Sequence, residues 1–186
     1  MKCISPNATQ RLPDGLTFDE GAFMEPLAVA VHACRRGQVQ MGQRILVQGA
    51  GPVGASSMMT ARAIGAAQVA ITDLNSTRLA HAKKLGADHT ICIDGMSVND
   101  VRAAVIECLG GEPDVTIECT GVQSCLESSI LKYKIVDLQT TRSGGVVVLV
   151  GLDDEKAELP VVDPTLREVD IRGAIKYANW YGPLQI

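Results

Sequence analysis

Gly49, Gly51 and Gly54 fall in the stretch ILVQGAGPVGASSMM, between an apolar run and a segment of helical character. Asp73 follows at roughly the 20-residue spacing at which an acid meets the ribose of a dinucleotide. Each glycine has its own reason in that chemistry. Gly49 lets the chain turn sharply, Gly51 removes a side chain where a pyrophosphate must approach the backbone, and Gly54 lets the next helix pack close to the strand. The helix start then offers free N–H groups and a partial positive charge to phosphates. Asp73 can accept hydrogen bonds from both ribose hydroxyls of an adenosine half, whereas a 2′-phosphate would meet a like charge. That favours NAD over NADP. Arg78 tempers the preference, because a nearby arginine can bind such a phosphate. The competing reading is a purely structural strand–turn–helix with a surface aspartate.

Positioning these residues requires alternating strands and helices. Strands are expected at Arg44–Gly49, Gln68–Asp73, His89–Ile93, Val115–Thr120, Val146–Gly151 and Asp170–Ala174. Helices are expected near Pro52–Ile64, Thr77–Leu85 and Val98–Leu109, with another after Gly121. Strands apolar throughout, such as VVVLV, suit burial on both faces. The alternation implies an α/β fold, a doubly wound parallel sheet with right-handed crossovers. Ligands of such sheets bind outside the carboxyl ends of the strands. Those ends here are ECTG (Glu118–Gly121), VGL (Val150–Leu152) and IKY (Ile175–Tyr177), small enough in places to leave room for a nucleotide. Upstream, the chain to about Phe23 reads as irregular. A helix should follow, with Pro26 in its first turn and Gly37 at its end. It is apolar nearly all round before Arg35 and Arg36, so most of it should be buried.

Composition excludes several classes. A net charge of −4 and only 3% aromatic residues argue against nucleic acid as the main partner. No apolar run is long enough to span a bilayer, and the first residues lack the hydrophobic core of a secretory signal. Cys3, Cys34, Cys92, Cys108, Cys119 and Cys125 are scattered without a CxxC pair. A zinc knuckle or redox dithiol is therefore not indicated, and a reducing cytoplasmic setting fits best. His32 and Cys34, in an apolar segment, read as core before metal ligands.

The ordered set RLPDGLTFDEGAFMEPLAVAVHACRRG, ILVQGAGPVG, ITDLNSTRLAHAKKLGAD, VTIECTG, TRSGG, VGL and REVDIRGAIKYAN resembles the zinc-dependent medium-chain dehydrogenases, in particular those acting on polyols. The resemblance covers nearly the whole chain. It implies a Rossmann coenzyme domain attached to a GroES-like catalytic domain, a homotetramer, and oxidation of a polyol to a ketose with NAD as hydride acceptor and a catalytic zinc. By the same resemblance Gly49, Gly51, Val53, Gly54, Asp73, Arg78, Val150, Gly151, Leu152, Ala174, Ile175 and Lys176 would contact NAD. Glu25 would lie beside the zinc site, and Lys176 with Tyr177 would hold the polyol. Lys176 departs from the family's arginine, and lysine loses the planar two-point fork. On the residues alone, Glu25 could simply favour a helix dipole, and Tyr177 could be an ordinary half-buried tyrosine.

Two departures qualify the likeness. No His-Glu dipeptide occurs in the 186 residues, so the family's zinc ligands are not expected in this chain, which should turn over poorly or not at all alone. Residues 1–24 are expected to be a remnant of the catalytic domain and linker, 25–175 the NAD-binding domain, and 176–186 the start of a return to the catalytic domain. The other departure is an extra LKYKIVDL (Leu131–Leu138). As helix it would add roughly 12 Å and rotate the following face by about 80°. Part of Leu131–Gln139 should therefore leave the regular helix or pack as an extra surface element. A non-catalytic NAD-binding or subunit-associating module, and a related zinc dehydrogenase acting on another secondary alcohol such as threonine, are the alternative functions.

Overall fold

The computed structural model describes residues 12–130, 140–151 and 162–176. Among them α1 (Phe18–Arg36) precedes β1 (Arg44–Gln48), α2 (Pro52–Ile64), β2 (Gln68–Asp73), α3 (Ser76–Lys84) and β3 (His89–Cys92). Then come α4 (Val98–Leu109), β4 (Val115–Glu118), α5 (Gln123–Ile130), β5 (Val146–Leu149), α6 (Val162–Leu166) and β6 (Asp170–Gly173). The strands form one six-stranded sheet in the order β3-β2-β1-β4-β5-β6, and every pairing is parallel. Strand order reverses between β1 and β4, as in a doubly wound dinucleotide fold.

Alternate residues of the central strands serve opposite faces. On one face Ile45, Val47, Val69, Ile71 and Ile117 pack with Ala33 of α1 and with Met58 and Ala61 of α2. On the other, Leu46 and Ala70 pack with Val101, Val105 and Leu109 of α4. Ile45, Leu46, Ile71 and Ile117 are wholly buried, each worth roughly 1.5–3 kcal/mol by area. Local chemistry sets the helix ends. Asn75 caps α3 by accepting from the amides of Thr77 and Arg78. Ser97 and Asp100 cap each other's backbone at α4. Gly65 and Gly110 close α2 and α4 in the left-handed conformation, where glycine is favoured.

Several expectations need correction. The first helix opens at Phe18, not Pro26, because Thr17 and Glu20 form a reciprocal capping box. That box supplies a start signal strong enough to leave Pro26 inside the helix. In the expected stretch Val29, Ala30, Ala33 and Cys34 are buried and Pro26, Leu27, Ala28, Val31 and His32 half-buried, so the cover is partial. The buried Ala33 and Cys34 pack with Met58 and Ala61 of α2 and with the sheet. Five of the strands stop short of the expected ends. At β4 the reason is visible: the Glu118 side chain takes the amides of Thr120 and Gly121, diverting them from a ladder. The short helix α6, with Pro164 buried, was not expected, since five residues carry too little periodicity to read.

The expectation for 131–139 lies outside the described residues. Hydrogen bonds hold the residues on either side. The Thr141 hydroxyl donates to the Ser129 carbonyl across 3.2 Å and shares a 2.7 Å hydrogen bond with the Thr116 hydroxyl. β5 pairs with β4 from Val115↔Val146 to Glu118↔Leu149.

Candidate functional site

The carboxyl ends of β1 and β2 make the first part of the site. Gly49 leaves β1 with φ 92°, a turn that a side chain would strain, and its amide donates to Thr72 O at 2.8 Å. Gly51 is extended, with φ −72° and ψ −177°. A Cβ there would meet nothing within 4 Å. Its value is thus not conformational; the space that its missing side chain leaves is open. Gly54 is the opposite case: a Cβ would stand 1.8 Å from Gly49 O, so only glycine lets α2 seat on the loop. No side chain caps the start of α2, leaving first-turn amides, around half-buried Val53, for an outside acceptor.

Asp73 ends β2 and is 9% exposed. Its Oδ2 accepts from Ala50 N at 2.7 Å and its Oδ1 from Asn75 N at 2.8 Å. Ala50 lies between Gly49 and Gly51, so the carboxylate is bound to the glycine loop itself. Arg78, exposed on α3, places Nη1 3.9 Å from Asp73 Oδ2. A buried carboxylate beside an open glycine loop and an uncapped helix start fits the ribose and diphosphate of a dinucleotide.

The carboxyl ends of β4 and β5 make the second part. Glu118 is wholly buried. Its carboxylate accepts from Thr120 N at 2.7 Å, from the Thr120 hydroxyl, and from Gly121 N at 3.0 Å to Oε2. Gly151 N and Val150 N donate to the Glu118 carbonyl at 3.0 and 2.9 Å. A Cβ on Gly151 would lie 2.0 Å from Gly121 N. Gly151 is small so that two loops can touch, a different reason from leaving room for a nucleotide. The loops also meet β1, since a Cβ on Gly49 would lie 2.9 Å from Thr120 Cγ2.

The other expected site residues are spread out. Ala174 is buried beyond β6, its amide donating to Leu149 O at 2.9 Å, while Ile175 and Lys176 are exposed. Lys176 has φ 46°, in the region that disfavours a side chain. Glu25 is exposed on α1. Leu152 and Tyr177 lie outside the described residues. Sequence reasoning passed over Glu118, Thr120 and Ala50 as site residues. The signal for Glu118 was present: VTIE ends an apolar strand on an acid, as VAITD does with Asp73.

The thiols are placed for packing. Burial pushes the Cys34 thiol up to about 12 and raises those of Cys119 and Cys125, the reverse of an activated cysteine. Cys34 Sγ lies 3.7 Å from the Ser57 carbonyl, to which it donates. Burial, with Arg36 and Arg35 nearby, lowers the His32 pKa. Among the described residues no cluster of His, Cys, Asp and Glu is arranged to hold a metal ion. None of their helices is long and apolar enough to cross a membrane.

Residues 52–184 match the family model described as zinc-binding dehydrogenase. Sorbitol dehydrogenase of Gallus gallus is 48% identical over 169 residues, which are 91% of this chain and 45% of that protein. The chain thus spans about half the length of the curated relatives it matches. Among solved structures, 2R,3R-butanediol dehydrogenase from Bacillus subtilis aligns with a TM-score of 0.76 at 32% identity, over 91% of this chain and 46% of that one. A zinc-binding dehydrogenase of Sinorhizobium meliloti bound to NADP aligns with a TM-score of 0.74 at 29% identity, over 88% of this chain and 46% of that one.

Proposed function

Because the chain belongs to the zinc-binding dehydrogenase family, we propose that it supplies the coenzyme half of a polyol dehydrogenase that uses NAD. The observation that carries this reading is Asp73, tied to Ala50 N at 2.7 Å directly beside the open Gly51. The first-turn amides of α2 would hold the diphosphate, and the carboxylate would hold the adenosine ribose. NAD, when bound, accepts the hydride released as an alcohol carbon becomes a carbonyl. Asp73 selects against a 2′-phosphate by like charge in a partly desolvated site. Arg78 stands 3.9 Å away and is 60% exposed, so solvent screens most of its counter-effect.

The 48% identity to a sorbitol dehydrogenase over nearly the whole chain supports a polyol such as sorbitol as substrate. A homotetramer working in the cytoplasm is part of the same proposal and rests on the family resemblance of the sequence alone. With the zinc ligands not among these residues, the 186-residue chain by itself binds the coenzyme without oxidising polyols. The test is a fluorescence titration with NADH and NADPH beside an assay on sorbitol, xylitol and threonine. Saturable NADH binding, weaker NADPH binding and no turnover are expected. A folded sample that ignores both dinucleotides at millimolar levels would overturn the coenzyme reading. Turnover by the chain itself would overturn the claim of inactivity, and its substrate preference would separate polyol from threonine chemistry.

A further inference from the structure

Glu118 is a wholly buried acid that the proposed coenzyme contacts do not use. Its neighbours explain what it does. Three donors converge on it: Thr120 N at 2.7 Å, the Thr120 hydroxyl, and Gly121 N at 3.0 Å. Thr120 Oγ1 in turn accepts from Val122 N at 3.1 Å. The whole turn after β4 is therefore folded around one carboxylate. Its shape matters to two neighbours. Gly151 after β5 fits against the Gly121 backbone with no space for a Cβ, and a Cβ on Gly49 would lie 2.9 Å from the Thr120 methyl. Glu118 thus fixes the surfaces that the β4 and β5 ends present at the reversal of strand order.

Resting on the coenzyme reading above, the direction of the dinucleotide follows from the sheet order. Asp73 takes the adenosine ribose on the β2 side and the diphosphate crosses at Gly51. The remaining half must extend over β4 and β5. We infer that Glu118 is a positioning residue for the nicotinamide half, acting through the Thr120–Gly121 turn and Gly151 and leaving the adenosine half to Asp73. Glutamine at 118 would keep the size and one acceptor, but its amide group would turn a donor toward either the Thr120 or the Gly121 amide. The turn would then have to move, and Gly151 with it.

The two halves can be read separately, with AMP as the probe for the adenosine side and NADH for the whole. E118Q is expected to weaken NADH binding about tenfold, equivalent to about 1.4 kcal/mol, while AMP binding stays within about twofold. T120V, which removes only the hydroxyl, should show the same split at about threefold, and it serves if E118Q does not fold. Parallel losses of AMP and NADH binding would mean a merely structural role and overturn the inference, as would wild-type affinity for both ligands in the variants. Wild-type chain that binds neither probe would instead remove the coenzyme reading, and this inference with it.

Discussion

Two buried carboxylates stand at the ends of β2 and β4, the strands on either side of β1, and they are used differently. Asp73 reaches outward: its oxygens take one amide from the loop after β1 and one from its own loop, so it ties two crossovers together. Glu118 turns inward and gathers three donors from its own turn. Asp73 keeps 9% exposure and Glu118 none. The first can therefore still meet a ligand, whereas the second can act only by shaping what surrounds it. Burying an acid at a strand end is thus compatible with either direct recognition or scaffolding, and the partners decide which.

The largest effects should come from filling the tight glycines on each side. G54A sets a Cβ 1.8 Å from a backbone oxygen and G151A sets one 2.0 Å from a backbone nitrogen. Each should cost about 3 kcal/mol or more of stability, measured by urea unfolding. A much smaller cost for G151A would show that the β4–β5 side yields where the β1–β2 side does not. D73N comes next. Asparagine can accept only one of the two amides well, so a loss of about 1–3 kcal/mol is expected. The ratio of NADPH to NADH affinity should rise in the same variant.

Asp88 offers a control at the opposite end of the sheet. It accepts from Val69 N at 2.8 Å and pairs with Arg62. Burial works against its charge, but the Arg62 and Val69 hydrogen bonds hold its pKa below the ordinary value of 3.8. A folded pKa below the unfolded one means that the unfolded chain takes up the proton first. The contribution is therefore complete above pH 3.8 and is lost as pH falls through the lower folded value. D88N should cost about 1–2 kcal/mol at neutral pH, flatten the acid limb of the stability profile, and leave NADH affinity unchanged. N75A removes the α3 cap and should cost about 1 kcal/mol, with NADH affinity little changed because the Asn75 backbone N–H still donates to Asp73. G51A should change stability least, within about 0.5 kcal/mol, yet weaken NADH binding strongly; an unchanged titration would mean that the open space at Gly51 is not where the diphosphate goes.

Much of this was legible in the sequence. The β1–α2–β2 unit is carried by local signals: apolar runs, glycines at fixed offsets, and an acid at the next strand end. Gly49 makes the sharp turn and Gly54 the close helix packing assigned to them, and the parallel sheet follows from the alternation. What escaped was non-local or very short. Pro26 suggested a helix start, but the Thr17–Glu20 box had already provided one upstream. Glu118 was quoted as part of a strand end, yet its importance depends on the fit of Gly151 and Gly49 against Thr120 and Gly121, which no spacing along one strand reveals. In α1 the half-buried Leu27, Ala28 and Val31 could not be told from the buried Val29, Ala30 and Ala33, because all are apolar and only packing separates them.

The hydrogen bond from the Thr141 hydroxyl to Ser129 has a bearing on more than its two partners. It ties the end of α5 to the segment that leads into β5, while the same hydroxyl meets Thr116 on β4. One side chain thus links three elements beside the β4–β5 pairing, and removing its hydroxyl would loosen a helix and a strand at once.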